Sequence, residues 1–221
     1  MFVILWFFFF FIFFFFFLSK KSKKKKKKKK KIKKIKKKSK KKKDGFAPRA
    51  INVDVIQNGN FEVLDNLIPT SFPSYEPLAA GSTRLTKWTI SNGGVKLVPF
   101  EFMDGIRGKV SVQLNNGNVG KISQTVTVTP GTLYVLSFWL AGDPGFQGIQ
   151  YIRVTANSLA RDFSIDSTGT TSSTLGWTLK TLEFIPTSSS LALSFESLQV
   201  GVYGPYIDGV TLKVKSIFFN F

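Results

Sequence analysis

From Asp44 onward, the chain consists of short runs of alternating apolar and polar residues separated by Gly, Pro, Asn and Asp, and no stretch sustains a helical period. An alternation with a period of two is typical of a strand that buries one face. The spacing is about ten residues for each strand and its turn, which favours two packed antiparallel sheets over a parallel sheet with helices. We therefore predict an all-β fold, an antiparallel β-sandwich of the jelly-roll type.

Eight segments carry the strand pattern, and turn residues stand where strands should end. The segments are VSVQL from Val110, KISQTVTV from Lys121, LYVLSFWLA from Leu133, YIRVTA from Tyr151, RDFSID from Arg161, TLEFI from Thr181, LALSFESL from Leu191 and YIDGVTLKV from Tyr206. The turns are Asn92-Gly93-Gly94, Asn115 to Asn118, Pro130-Gly131, Asp143-Pro144-Gly145 and Thr168-Gly169.

The first 43 residues have a different composition from the rest. Residues 2–18 form an uncharged apolar run that contains 11 of the 24 phenylalanines, and residues 20–43 hold 20 lysines and no acid. The formal charge of +19 therefore comes from this tract, because the remainder has 12 basic against 13 acidic groups. A domain with nearly balanced charge is not a typical nucleic-acid binder, so we predict that the sandwich does not have nucleic acid as a partner.

Three interpretations of this N-terminal segment stay open. The apolar run is at the short limit of a membrane-spanning helix and long for a signal peptide, and it lacks the basic start and small-residue cleavage site of a signal. The lysines predict a disordered, extended tether that is attracted to anionic membranes or nucleic acid. Phenylalanine and lysine are also the residues encoded by runs of T and of A, which is typical of a low-complexity genomic tract.

These patterns divide the chain into five parts. They are an apolar, signal-like or anchor-like segment at 1–18, a disordered lysine tract at 19–43, a linker at 44–50, the β-sandwich at 51–214 and a tail at 215–221.

The chain has no histidine and no cysteine. Disulfides, thiolate metal sites, Ser-His-Asp triads and HExxH zinc sites are therefore excluded. Hydrolysis by a pair of carboxylates needs neither residue type, but no such pair stands out. We predict that the protein is not an enzyme.

Four motifs occur in an order that resembles the choice-of-anchor C family, a galactose-binding-like β-sandwich group related to plant cell-wall proteins with a domain of unknown function and to carbohydrate-binding modules. They are VIQNGNFE (55–62), KWTISNGGVKLV (87–98), the stretch from Gly108 to Pro144, and YGPYIDGVTL (203–212). The plant proteins carry two modules and cysteines, whereas this chain has one module and none. The resemblance implies an extracellular or cell-wall protein, with membrane anchoring through residues 1–43 as the alternative.

The resemblance also implies a structural calcium ion. Modules of this fold commonly hold calcium between the glutamate of the first motif and the aspartate of the last strand, here Glu62 and Asp208. Calcium prefers carboxylate and carbonyl oxygens. The alternative is that both are edge charges, paired with a lysine or solvated.

Sugars are bound by aromatic faces and by planar amide, carboxylate or guanidinium groups. Strand alternation places Trp139 on the same face as Ser137, points Gln113 outward, and places Tyr151 and Arg153 on one face. These four residues would form a single glycan platform if their strands shared a sheet. The structural alternative is that Trp139 packs beneath a loop and that Arg153 pairs with a neighbouring acid.

From these observations we expect a non-catalytic, extracellular carbohydrate-binding module that recognises cell-wall or matrix polysaccharide. The alternative is a structural or adhesive surface domain without a sugar site.

Overall fold

The computed structural model describes residues 29–31, 33–34, 53–65, 74–106 and 108–215, which fall into two units, Met1–Ile51 and Asn52–Phe221. In the first unit, the described residues are five exposed lysines, and they are helical rather than extended as predicted. Lysine has a good intrinsic helix propensity, which favours a helix here, whereas repulsion between like charges opposes one. The apolar run at 2–18 and the linker at 44–50 lie outside the described residues. Where the structure describes the chain, no helix has the length and apolar character needed to cross a membrane.

The second unit contains eleven strands within its described residues. They are β1 (Glu76–Leu78), β2 (Thr89–Asn92), β3 (Val95–Pro99), β4 (Val110–Gln113), β5 (Gly120–Thr127), β6 (Tyr134–Ala141), β7 (Ile149–Ala156), β8 (Leu159–Asp166), β9 (Thr178–Phe184), β10 (Ser190–Ser197) and β11 (Tyr206–Val214). All eight predicted segments coincide with strands β4 to β11.

The strands form two antiparallel sheets, so the predicted β-sandwich is confirmed. One sheet has six strands in the order β1-β3-β4-β11-β6-β9, and the other has five in the order β2-β5-β10-β7-β8. Among consecutive strands, β3 pairs with β4 and β7 pairs with β8, whereas the other connections cross from one sheet to the other. Strands that are distant in sequence are therefore neighbours in each sheet.

The core between the sheets is built around a chain of aromatic rings. The Phe195 ring lies at its centre. Its centroid is 6.1 Å from that of Trp88 and 5.1 Å from that of Phe138. Phe61 extends the chain beyond Trp88 at 5.6 Å, and Phe163 extends it beyond Phe138 at 5.3 Å. The Phe61–Trp88 pair is tilted and the other three pairs are edge-to-face. Such contacts add to the apolar burial.

The QNGNFE motif is structural. The Asn58 side chain donates to the backbone carbonyl of Val63 and accepts from the Val63 N–H. The backbone carbonyl of Asn58 accepts from the Trp88 indole at 2.9 Å. Gly59 packs so closely on β11 that a Cβ there would lie 1.9 Å from the carbonyl oxygen of Val210. These contacts anchor the start of the domain to its last strand.

Candidate functional site

The outer face of the six-stranded sheet carries a row of partly or fully buried side chains. Lys96 lies opposite Gln113, and Gln113 lies opposite Tyr206. Tyr206 is in turn opposite Ala141, so the row crosses β3, β4, β11 and β6. The residues that flank them along each strand belong to the core between the sheets, because strand side chains alternate.

Asp143, in the loop that follows β6, completes this row. Its carboxylate accepts hydrogen bonds from the Tyr206 hydroxyl at 3.0 Å, from the amide of Gln113, and from the backbone N–H of Gly145 at 2.8 Å. We call Lys96, Gln113, Asp143 and Tyr206 the Asp143 cluster. All four are buried. Buried polar groups are costly unless they are paired, and this cluster provides those pairings internally.

A buried glutamine fixes the backbone of Asp143. The side-chain amide of Gln150 accepts from the Asp143 N–H at 3.2 Å and donates to the Asp143 carbonyl at 2.9 Å. The same amide nitrogen donates to the Ser167 hydroxyl at 3.0 Å. The carboxylate is therefore held on both sides, through its own oxygens and through its peptide group.

The cluster contains ionisable groups with shifted pKa values. Burial raises the pKa of Asp143, opposed by the hydrogen bonds from Gly145 and Tyr206 and by the Lys96 charge. Burial also lowers the pKa of Lys96, although the negative charge of Asp143 opposes it. The pKa of Tyr206 is raised, first by burial and then by Asp143. Titratable groups shifted by burial and by specific partners are typical of functional sites.

Exposed tyrosine rings lie beside the cluster. The Lys96 ammonium lies 4.8 Å from the centroid of the Tyr75 ring and donates to the carbonyl of Val202 at 3.1 Å. Tyr203, next along that loop, covers Gly145, where a Cβ would lie 2.4 Å from the Tyr203 Cε1. Tyr75 is 46% exposed and Tyr203 is 49% exposed. We call these two residues the tyrosine rim.

The loop that carries Tyr203 is held from below by Asn115. The Asn115 amide nitrogen donates to the carbonyls of Gln199 at 2.7 Å and Gly201 at 2.8 Å. Gly204 lies against this side chain, because a Cβ there would be 2.0 Å from the Asn115 Oδ1. The Tyr203 side of the rim is therefore held in place by Asn115, which follows β4.

Two further loops cover the other end of this face. Leu175 is buried there with Val98, Ala141 and Tyr206, and the half-buried Trp177 packs on them. The Trp177 indole donates to the carbonyl of Asp104 at 2.8 Å, which ties the two loops together. Loops therefore add Tyr75, Tyr203 and Trp177 to the aromatic groups that β6 and β11 place on this face.

The structure does not bring the four predicted glycan ligands together. Gln113 and Trp139 lie in the six-stranded sheet, whereas Tyr151 and Arg153 lie in β7 of the five-stranded sheet. The single platform is therefore wrong, because β6 and β7 belong to different sheets. Gln113 does point to the outer face as predicted, but it is buried there, where it donates to Asp143 in the loop after β6.

The other three predicted ligands point to solvent to different degrees. Trp139 is half-buried, on the outer face opposite Asp208 of β11. Tyr151 is exposed. Arg153 forms a bidentate ion pair with Asp162, with both N–O distances at 2.8 Å. This is the pairing with a neighbouring acid that was the alternative to a ligand role.

Glu62 and Asp208, the predicted calcium ligands, both accept backbone hydrogen bonds. Glu62 Oε1 accepts from the N–H groups of Lys109 at 2.6 Å and Val110 at 2.9 Å. Asp208 is buried, and its Oδ1 accepts from Gly209 at 2.5 Å. In the part of the chain that the structure describes, no three acidic residues gather as a metal site. Since calcium takes six to eight oxygens, carbonyls and water would supply most of the ligands.

Sequence reasoning missed Lys96, Asp143, Tyr206 and the tyrosine rim. A signal for Asp143 was present, because it stands in a predicted turn at the end of a predicted strand. Lys96 lay in the KWTISNGGVKLV motif. Nothing in the sequence pairs it with Asp143 or Tyr206, which lie 47 and 110 positions further along the chain.

Comparison with known proteins identifies relatives of this domain. The sequence profile of DUF642, described as a protein of unknown function, matches residues 54–213. Halomucin of Haloquadratum walsbyi is 32% identical over 166 residues, which cover 74% of this chain. The chain spans 2% of the length of halomucin.

Solved carbohydrate-binding modules share the fold. TmCBM61, determined in complex with β-1,4-galactotriose, aligns with a TM-score of 0.50 at 18% identity over 74% of this chain and 99% of that module. A family 35 carbohydrate-binding module from Clostridium thermocellum aligns with a TM-score of 0.45 at 20% identity, over 63% of this chain and 97% of that module. The likeness to TmCBM61 shows that the chain has the β-sandwich fold of such modules.

Proposed function

This chain belongs to the DUF642 family, whose description assigns no function, and we propose that its β-sandwich is a non-catalytic module that binds polysaccharide outside the cell. The observation that carries the proposal is the Asp143 cluster flanked by the tyrosine rim. Sites for sugars combine aromatic faces with a few fixed polar groups.

Each part of the site has a separate task. The rings of Tyr75 and Tyr203 offer apolar faces to the C–H surfaces of a sugar. The Asp143 cluster lies beneath them as a buried polar floor, and its hydrogen bonds to Val202 and Gly145 hold the surrounding loops in place before a ligand arrives. Pre-organisation lowers the ordering cost of binding. The fold shared with TmCBM61, which was determined with β-1,4-galactotriose, supports a sugar as the ligand.

Replacing Tyr203 with alanine is expected to weaken polysaccharide binding at this face about 5- to 10-fold, because a stacked ring contributes about 1 kcal/mol. Affinity electrophoresis in gels that contain β-1,4-galactan, xylan or hydroxyethyl cellulose measures the change. The matched control is Ile185→Ala, an exposed side chain at the end of β9, which should migrate like the parent.

The same gels distinguish this proposal from its alternatives. A parent protein that none of these polysaccharides retards contradicts the proposed function and favours a structural or adhesive surface domain. Release of reducing ends during incubation contradicts the non-catalytic assignment.

Calcium at Glu62 and Asp208 is a second part of the proposal. If both carboxylates hold the ion, saturating calcium should raise the melting temperature of residues 44–221 and a chelator should lower it, since a ligand of the native state alone stabilises it. Scanning calorimetry measures both. The same melting temperature in calcium and in chelator would contradict a calcium site at Glu62 and Asp208.

A further inference from the structure

The outer face of the five-stranded sheet carries a ladder of alternating charges. Lys121 of β5 lies opposite Glu196 of β10, which lies opposite Arg153 of β7. Arg153 lies opposite Asp162 of β8. We call these four residues the charge ladder. Ion pairs close both ends, with Lys121 3.3 Å from Glu196 and Arg153 2.8 Å from Asp162.

The ladder remains accessible to solvent and carries no net charge. The Arg153 and Asp162 side chains are 47% and 44% exposed to solvent. Asn92 adds a planar amide, which donates to Glu196 at 2.7 Å. Because each cation faces an anion, this surface offers paired donors and acceptors without attracting a polyanion or a polycation. Its guanidinium, carboxylate and amide groups can donate to and accept from the hydroxyls of a neutral chain.

Tyr151 adds an aromatic face beside the ladder. It lies two residues before Arg153 on the same face of β7, opposite Ser164, and it is 45% exposed. Among the described residues, no aromatic ring stacks on it, and Ile149 next to it on this face is also exposed. A phenol ring left bare beside fixed hydrogen-bonding groups has the composition of a sugar-binding surface.

The geometry of the sheet gives the orientation of a ligand. Neighbouring strands lie about 4.8 Å apart, so the four ladder residues span about 14 Å at right angles to the strands. The spacing of about 4.8 Å between neighbouring strands is close to the length of one sugar residue in an extended chain. The ladder therefore matches a chain that crosses the strands, with about one sugar for each strand interval.

We propose that this face, formed by Tyr151 and the charge ladder, is a second binding site for a neutral, extended polysaccharide. It lies on the opposite side of the sandwich from the Asp143 cluster, because the two sites occupy the outer faces of different sheets. A domain with both sites is bivalent and bridges two polysaccharide chains. The bridging rests on the proposed function, whereas the second site does not.

Nuclear magnetic resonance of the 15N-labelled protein tests the second site. The probes are β-1,4-galactohexaose, xylohexaose and cellohexaose, with hexagalacturonate as the acidic probe. A neutral hexasaccharide should shift two separate sets of amide signals, one around Gly145 and Tyr203 and one around Tyr151 and Ser164. Tyr151→Ala should weaken binding at the second set about tenfold and leave the first set unchanged, and Tyr203→Ala should do the reverse.

Thr155→Ala, on the same strand and face as Tyr151, is the matched control and should bind like the parent. Unchanged affinity at the second set in Tyr151→Ala overturns the proposal, as does a second set that responds to hexagalacturonate alone. If only Tyr151→Ala weakens binding, the five-stranded face is the glycan site and the Asp143 face is not. If only Tyr203→Ala does, the second site is refuted and the proposed function stands.

Discussion

Replacing Asp143 with alanine is expected to lower the free energy of unfolding by about 2–5 kcal/mol. The substitution leaves the Tyr206 hydroxyl and the Gln113 amide as buried donors without their acceptor, and each such group costs about 1–3 kcal/mol. It also removes the negative charge beside the buried Lys96 ammonium. Urea unfolding followed by tryptophan fluorescence measures the loss.

Asp166→Ala is the matched control, because this exposed aspartate accepts a local hydrogen bond from the Thr168 N–H at 2.9 Å. We expect a much smaller change for it. If both variants lose the same stability, the Asp143 cluster does not stabilise the fold as a network.

The stability conferred by Asp143 also depends on pH. Its pKa in the folded protein lies above the ordinary 3.8, so between these two values the native state keeps a proton that the unfolded chain has released. Stability should therefore fall as the pH rises through this window, relative to Asp143→Asn, which has no such proton. Urea unfolding of both proteins at a series of pH values gives the difference between their free energies of unfolding. If the parent gains stability relative to Asp143→Asn as the pH rises, the prediction is wrong.

Replacing Phe195 with alanine is expected to lower the free energy of unfolding by about 3–5 kcal/mol, since Phe195 is 0% exposed at the centre of the aromatic chain. The cavity would remove the edge contacts to Trp88 and Phe138 together. For a domain of this size, the melting temperature should fall by about 6–20 °C. Differential scanning calorimetry measures it.

Phe100→Ala is the matched control for the core, because Phe100 has the same side chain but is exposed in the loop after β3. We expect its melting temperature to stay close to that of the parent. A Phe195 variant that melts with the Phe100 variant would show that the aromatic chain contributes little.

The strands were predictable because alternation is local. LYVLSFWLA places Leu136 and Phe138 on one face whatever the strand pairs with, and both are buried in the core as expected. The same pattern places Trp139 on the opposite face with Ser137, and the structure leaves both partly exposed there. The strands β1 to β3 were not predicted, because β1 has three residues, β2 contains a single apolar side chain and all five residues of β3 are buried, so none shows a clear alternation.

The site was not predictable in the same way. Gln113 and Tyr206 are neighbours because β4 pairs with β11, which follows nearly a hundred residues later. Tyr151 was grouped with Trp139 on the condition that their strands share a sheet, but the chain crosses to the other sheet between them. Burial of Gln113 depended on a loop whose path no local pattern records.

Local alternation therefore predicted eight of the eleven strands in the described residues, their inward and outward faces and the β-sandwich class, because the two-residue period of a strand is a property of the local backbone. The choice of which outward residues meet belongs to the tertiary fold, because strand order and register depend on hydrogen bonds between distant segments. That is why Asp143, absent from the predicted ligands, lies at the centre of one candidate site, and why Tyr151 and Arg153 belong to another.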